Sequence, residues 1–233
     1  MMKPIALIIS CEHAVNAIPP AYRSLFINHA SILQTHRAID IGALEIAIHF
    51  REQFPCGYAQ ASVSRLLIDC NRSLTHRHCF SEFTQSLASS DKQKLIRLYY
   101  QPYRESIDQL IQSAIQRGAQ VLHLSIHSFT PELNGVKRNA DVGLLYDPSR
   151  HGEKAVANLW KNRLLEQTPT YRVRMNYPYR GNSDGLTQAL RQRYTEHDYL
   201  GLEVESNQAL LTDETSRGEL SHALSSSFSQ ANI

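Results

Sequence analysis

Residues 121–128 read Val121-Leu122-His123-Leu124-Ser125-Ile126-His127-Ser128, an apolar run that ends in polar residues. A short apolar run bounded by turn formers is how a strand buried on both faces reads. The same signature recurs at 5–10, 58–63, 142–146, 171–175 and 199–204. Between these runs the apolar spacing becomes helical. Ile41, Leu44 and Ile48 share one stripe within 40–54, and Leu95, Leu98, Ile107, Leu110, Ile111 and Ile115 recur at helical intervals within 91–117. Further helices are expected at 149–165, at 184–196 and from Thr212 into the Ser-rich end, with fraying toward the last residues. Strands alternating with helices predict an α/β fold of three layers, α/β/α, with a mixed, mostly parallel sheet covered on both faces.

With 233 residues and no linker or repeat, the chain reads as a single catalytic domain over 1–233. A hydrophobic share of 42% against 20% charged residues excludes collagen-like and largely disordered chains. The 24 Lys and Arg are scattered and nearly balanced by 22 Asp and Glu, unlike a nucleic-acid binder or a polybasic membrane patch. A small-molecule partner is therefore expected, with no nucleic acid and no membrane; nothing in the sequence sets an oligomeric state. The run Ile5 to Ile9 is too short to span a bilayer, and no signal-peptide pattern precedes it. Cys11, Cys56, Cys70 and Cys79 form no C-x-x-C pair and read as reduced thiols. A cytoplasmic location follows as an expectation.

In open α/β sheets, ligands gather beyond the carboxyl ends of the strands. Four polar clusters occupy such positions: Ser10 to Asn16, Asp69 to Arg72, Ser125 to Ser128 and Glu203 to Asn207. One histidine alone is more often a hydrogen-bonded core or loop residue. Two, delivered from separate strand ends with a carboxylate, can form an open zinc site, which needs three protein ligands and a vacant position for water. His13 and His127 are the imidazole candidates. Glu203 and Glu205 alternate with Leu202 and Val204, so both carboxylates share one face of an apolar strand. Ionised groups there are costly unless paired or metal-bound, which points to a general base; the alternative is an edge strand with its polar face in water. Arg65 and Arg72 flank Asp69 and Asn71, either to grip a substrate carboxylate or, for Arg65, to form a structural Arg–Asp pair.

Other patterns compete. Gly181-Asn182-Ser183-Asp184-Gly185 is a literal G-x-S-x-G, followed in the chain by His197, Asp198 and His222, which would suit a serine-type hydrolase using Ser183. The polar stretch before it better fits a mobile loop over the substrate, with Tyr177, Tyr179 and Arg180 as contacts. Cys11 beside His13 could be a thiol nucleophile, although buried cysteine is usually inert. His76 and His78 read as solvated, and His123, on the same strand face as His127, as a core histidine.

The runs SCEHAVNAIP (10–19), HRAIDIGALEIA (36–47), SRLLIDCNRS (64–73), SIHSFTP (125–131) and GLEVESNQ (201–208) together resemble the N-formylglutamate amidohydrolase family, from Ile5 to about Leu211. More distantly, His127, Asn71-Arg72 and the glutamate of the final strand are similar to the pattern of zinc carboxypeptidases, whose phosphorylase/hydrolase-like fold is a mixed sheet sandwiched by helices. The resemblance implies a hydrolase with one Zn2+ that removes a formyl or other acyl group from an amino acid. It implies zinc on His13 and His127, a substrate carboxylate on Asn71 and Arg72, Arg65 polarising the scissile carbonyl and Glu205 as base, with Arg180 added from its loop position. Where carboxypeptidases carry a ligating Glu three positions after the first His, this chain has Asn16. An amide brings no charge. The third ligand is then Asp40, Glu12 or Asn16, Asp40 being preferred although it also suits the start of a helix. Asn16 is likewise the one hint of a metal-free, non-catalytic binding homologue.

Overall fold

The computed structural model describes residues 3–231. In chain order its main elements are β1 (Ile5–Cys11), α1 (Ala43–Gln53), β2 (Cys56–Gln60), α2 (Ser89–Leu95), α3 (Gln101–Gln116), β3 (Gln120–Phe129), β4 (Glu132–Leu133), β5 (Val136–Lys137), β6 (Val142–Leu145), α4 (His151–Gln167), β7 (Val173–Met175), α5 (Leu186–Arg193), β8 (Tyr199–Asn207) and α6 (Glu214–Gln230). Six strands form one sheet in the order β2-β1-β3-β8-β6-β7. β2, β1, β3 and β8 are parallel neighbours, β6 runs antiparallel to β8, and β7 is parallel to β6. The sheet is therefore mixed and mostly parallel.

Alternation along the central strands divides the core into two layers. Ile9, Leu122, Leu124, Ile126, Leu202 and Val204 pack against α1, α4 and α6, where Phe50, Trp160 and Phe228 meet edge to face. Ile8, Val121 and Tyr199 face α3 and α5. Toward the carboxyl ends this second face turns polar, carrying Ser10, His123, Ser125, His127, Glu203 and Glu205. All but Glu203 are buried.

The ladders differ in length from the apolar runs. β2 stops at Gln60 rather than 63 because β1, its only neighbour, ends at Cys11. β3 and β8 support each other as far as Phe129 opposite Asn207, so His127 and Glu205 are strand residues and not loop residues. The helix expected over 91–117 contains a π segment, Ile96–Tyr100, between α2 and α3. Such a widened turn re-aims the side chains that follow it; here the Tyr100 hydroxyl donates to Arg72 O at 2.7 Å. The Ser-rich end holds its helix to Gln230, capped by the Asp213 carboxylate on Ser216 N and anchored by Leu220, Leu224 and Phe228; Asn232 and Ile233 lie outside the described residues. β4 and β5, not foreseen, make a two-residue hairpin in which Asn134 and Gly135 take positive φ. No helix among the described residues is long and apolar enough to cross a membrane.

Candidate metal centre and cleft

Parallel pairing sets the site. Ser125 stands opposite Ser10 on one side and Glu203 on the other, and His127 stands opposite Glu205. His13 follows β1 directly. Its ring centroid lies 5.1 Å from that of His127. Between them sits Asp40, whose backbone N–H bonds His13 O at 3.1 Å two residues before α1 begins its cap at Gly42. No side chain caps α1, and the Asp40 carboxylate turns instead to the histidines. Oδ2 is 2.8 Å from His127 Nδ1 and 3.2 Å from His13 Nδ1.

The far side of each ring fixes its tautomer. His13 Nε2 meets Asp69 Oδ1 at 2.8 Å, and His127 Nε2 meets Glu12 Oε2 at 2.9 Å. A carboxylate only accepts, so both Nε2 atoms carry hydrogen. In the neutral imidazoles both Nδ1 lone pairs then point at Asp40 Oδ2, also an acceptor. Three lone-pair donors within 4.8 Å of one another need a cation or protons between them. A tetrahedral ion with bonds of ~2.0–2.1 Å separates its ligands by ~3.3 Å, close to the two spacings of 2.8 and 3.2 Å from Asp40 Oδ2 to the imidazole nitrogens. Histidines backed by carboxylates are the usual support of a metal site. The buried charge fits as well: Glu12, Asp40 and Asp69 against Arg65 leave two negative charges, which one divalent ion cancels.

Glu12 is completely tied down. Ser10 Oγ and the Tyr103 hydroxyl donate to Oε1 at 2.6 and 2.7 Å, and Ser125 Oγ to Oε2 at 2.5 Å. Burial opposes its charge, yet His127 and these hydroxyls hold it well below the carboxylate range. Ser10 also receives a hydrogen bond from His123, which in turn accepts from Tyr199; burial pushes His123 down to about 4, so it stays neutral in the core. Against the cost of burial, His13 and His127 hold Asp40 low and ionised, and Arg65 with His13 does the same for Asp69. Burial and Arg65 pull the His13 pKa down, but Asp69 and Asp40 outweigh them and raise it; for His127, hydrogen bonds to Asp40 and Glu12 overcome burial.

Glu205 behaves differently. It is 4% exposed, and its Oε2 has no hydrogen-bond partner. Burial, with Asp40 and Glu203 adding to it, pushes its pKa up to about 8. A buried carboxyl without hydrogen-bond partners, next to the imidazoles and Asp40, is placed to hold and pass on a proton.

Above these groups opens a cleft of about 260 Å³, small for a ligand site and suited to one amino-acid derivative. Arg65 spans Asp40 and Asp69 at 3.3 and 3.0 Å, so its ion pairs exist, and it also lines the cleft. Asn71 accepts from Leu186 N at the start of α5 through Oδ1 (2.8 Å). Its amide nitrogen is 3.4 Å from His127 Nε2; with that atom protonated toward Glu12, the Asn71 N–H groups are left for a ligand. Arg72 donates one N–H to Asp184 O at 2.6 Å and reaches the same wall. Arg180 is exposed at the rim.

Several expectations change. Asn16 faces away, its amide donating to Leu33 O at 2.8 Å, and Glu12 sits behind His127, on its Nε2 side; neither joins the His13, Asp40, His127 group. The loop bearing Tyr179 and Arg180 is pinned, because Asn176 Oδ1 accepts from both Tyr146 N and Gly181 N at 3.0 Å. A Cβ on Gly181 would lie 2.2 Å from Tyr146 N. Ser183 is exposed at the cleft rim, whereas Asp198 is bound to Lys3 and Thr195 just before β8 begins, at the opposite end of the sheet. No triad forms. Burial drives the Cys11 thiol well above its usual value, and the His13 nitrogens face carboxylates instead.

The sequence pointed to Asp69 only as a structural partner of Arg65 and to no role for Ser125, Tyr103, His36 or Arg138, although Ser125 lies in the polar cluster at the end of β3. Arg138 follows the Asn134-Gly135 hairpin, a signal present in the sequence between Leu133 and Val136.

Residues 5–212 match the family model for N-formylglutamate amidohydrolase. The gene product Atu2144 of Agrobacterium tumefaciens has a similar structure (TM-score 0.82, 27% identity, 99% of this chain and 90% of that one). An N-formylglutamate amidohydrolase from Ralstonia eutropha JMP134 shares the fold at TM-score 0.72 and 19% identity, over 99% of this chain and 94% of that one. No curated protein matches the chain. With most of its length matched by one family, and with a cleft built over acids and imidazoles, this chain belongs to the N-formylglutamate amidohydrolase family and is an amidohydrolase acting on a small molecule.

Proposed function

We propose that the protein is a zinc-dependent hydrolase that cleaves the amide bond of an N-acyl amino acid, N-formylglutamate in the first place, to formate and the free amino acid. One observation carries this reading: two imidazole Nδ1 atoms and one carboxylate oxygen converge, with the opposite nitrogen of each ring anchored to a carboxylate. His13, Asp40 and His127 would hold the ion. When bound, it would supply Lewis acidity that makes water a nucleophile near neutral pH, and its charge would favour the ionised form of Glu205.

Glu205 takes one proton as the water oxygen bonds to the acyl carbon, and delivers it to the nitrogen as the C–N bond breaks. The Arg65 guanidinium, fixed by Asp40 and Asp69, stabilises the developing oxyanion without having to reorganise. Asn71 and Arg72 receive the α-carboxylate, which orients the acyl group toward Glu205; Arg180 contacts it from the fixed rim. The whole chain serves as one catalytic unit, and four free thiols accord with a cytoplasmic location.

The test combines elemental analysis with a deacylation panel of N-formyl, N-acetyl and N-succinyl amino acids. About one zinc per chain, chelator-sensitive release of formate and a preference for N-formylglutamate are expected. Turnover that survives complete removal of metal would reject the reading.

A further inference from the structure

We propose that Arg138 receives the side-chain carboxylate of the substrate and thereby selects acidic over neutral N-acyl amino acids; this rests on the deacylase reading above. Four guanidinium groups line the cleft, and only Arg65 has a carboxylate partner among the described residues. Arg72 is tied by one N–H to Asp184 O, beside the amide of Asn71. Arg180 is exposed, and no aromatic ring among the described residues lies under its guanidinium. Arg138 also gives one N–H to a backbone carbonyl, Thr130 O at 3.5 Å, and differs from both in its aromatic support. It is half-buried, with its guanidinium 5.9 Å from the centre of the Phe129 ring and 5.1 Å from that of Tyr179. A guanidinium resting against aromatic rings keeps its charge while losing little further freedom when it binds an anion.

Its position follows from the chain path. Phe129 lies two residues beyond His127 at the end of β3, and the hairpin β4–β5 returns the backbone so that Arg138 N bonds Pro131 O at 2.8 Å. Arg138 thus reaches the cleft from the β3 side, whereas Asn71 and Arg72 reach it from the loop packed on α5. The two cationic walls can each take one end of a dicarboxylate. Of the acids on the wall, Asp40 pairs with Arg65, Glu203 accepts from Thr187 Oγ1 at 2.5 Å and Asp184 from Ser73 N at 3.0 Å, which leaves Glu205, the proposed base, as the one with an unpartnered buried oxygen among the described residues. His36, also in the cleft, has its proton affinity lowered by burial and then by Arg138, so it adds no competing cation.

The experiment compares kcat/KM for N-formyl-L-glutamate and N-formyl-L-glutamine, equal in size and differing in one charge, using zinc-loaded full-length protein, Arg138→Met and Arg138→Lys. Wild type should prefer the acid by about 30-fold or more, a charge-assisted pair's worth of discrimination. Arg138→Met should cut that ratio at least about tenfold, chiefly through KM for the acid, and Arg138→Lys should restore part of it. A ratio within twofold of wild type in Arg138→Met, or no preference for the acid in wild type, overturns the proposal. Calorimetric binding of L-glutamate against L-glutamine to the same variants reads the same preference without turnover. If neither formyl substrate is cleaved, the deacylase reading falls, while loss of glutamate binding in Arg138→Met would still uphold the anion receptor and its retention would sink it.

Discussion

Around Gly201 of β8, Arg191 and Glu153 are buried as deeply as the acids and imidazoles of the cleft, yet their atoms are matched one for one. Arg191 Nε donates to both Glu153 oxygens at 2.9 and 3.1 Å, and NH2 donates to Gly201 O at 2.8 Å. Glu153 also accepts from Gly201 N and Asp147 N. Four residues along the same strand, Glu205 has an oxygen with no partner, and Asp40 Oδ2 faces two imidazole nitrogens at once. Buried charge that serves structure is paired to completion, because an unmatched ion in the interior costs several kcal/mol. Incomplete pairing at the cleft is therefore where binding and chemistry belong.

The sharpest way to break this contrast is to remove the shared acceptor. Asp40→Ala should leave no stoichiometric zinc and lower kcat/KM by ~10⁴-fold or more, as expected when the activating group is lost. Elemental analysis of the folded variant decides it; full zinc content would move the ligand role to another carboxylate.

Glu205→Gln should cost ~10³-fold or more in kcat with zinc retained, since only proton transfer is removed. Its stability should move the other way. In the metal-free protein the Glu205 pKa is raised from 4.5 to about 8, so the folded state favours the neutral acid. That contribution is complete below pH 4.5 and is lost as pH rises toward about 8. Metal-free Glu205→Gln should accordingly gain on wild type by roughly 2–4 kcal/mol at pH 8, and by little at pH 5. Denaturant unfolding at the two pH values would show the effect, and equal differences at both would contradict it.

The matched pair should respond in stability alone. Arg191→Met strands the Glu153 carboxylate and should cost about 3–5 kcal/mol of unfolding free energy, while zinc per folded chain stays at the wild-type value. A smaller effect is expected behind the imidazoles. Glu12→Gln or Asp69→Asn keeps shape but weakens the hold on one ring, and zinc affinity should fall about 10- to 100-fold in competition with a chelator.

What the sequence revealed of this arrangement follows from periodicity. Leu202-Glu203-Val204-Glu205 and His123-Leu124-Ser125-Ile126-His127 alternate strictly, so the polar face of each strand could be read before its neighbours were known. Which polar groups meet could not. Asp40 lies 27 residues from His13 and 87 from His127. Its local context favours a helix start, and only tertiary packing turns its carboxylate toward the rings. Asp69 and Tyr103 act through partners brought close by the sheet and by the π segment before α3. The Asn134-Gly135 turn was legible, but the cleft position of Arg138 depends on where that hairpin lands.

The smallest expected effect tests the rival motif. Ser183 fits a G-x-S-x-G pattern only in sequence: it follows a pinned loop rather than a strand, and Asp198 is held at the other end of the sheet. A nucleophile elbow needs a strained strand-to-helix turn with its base in hydrogen-bond reach. Ser183→Ala should therefore change kcat/KM by less than about twofold, within the range of a surface substitution, whereas a chelator should abolish turnover. The two treatments separate the chemistries cleanly. A serine enzyme would lose activity in the variant and keep it with the chelator, which would transfer the catalytic role from the incompletely paired acids to the rim.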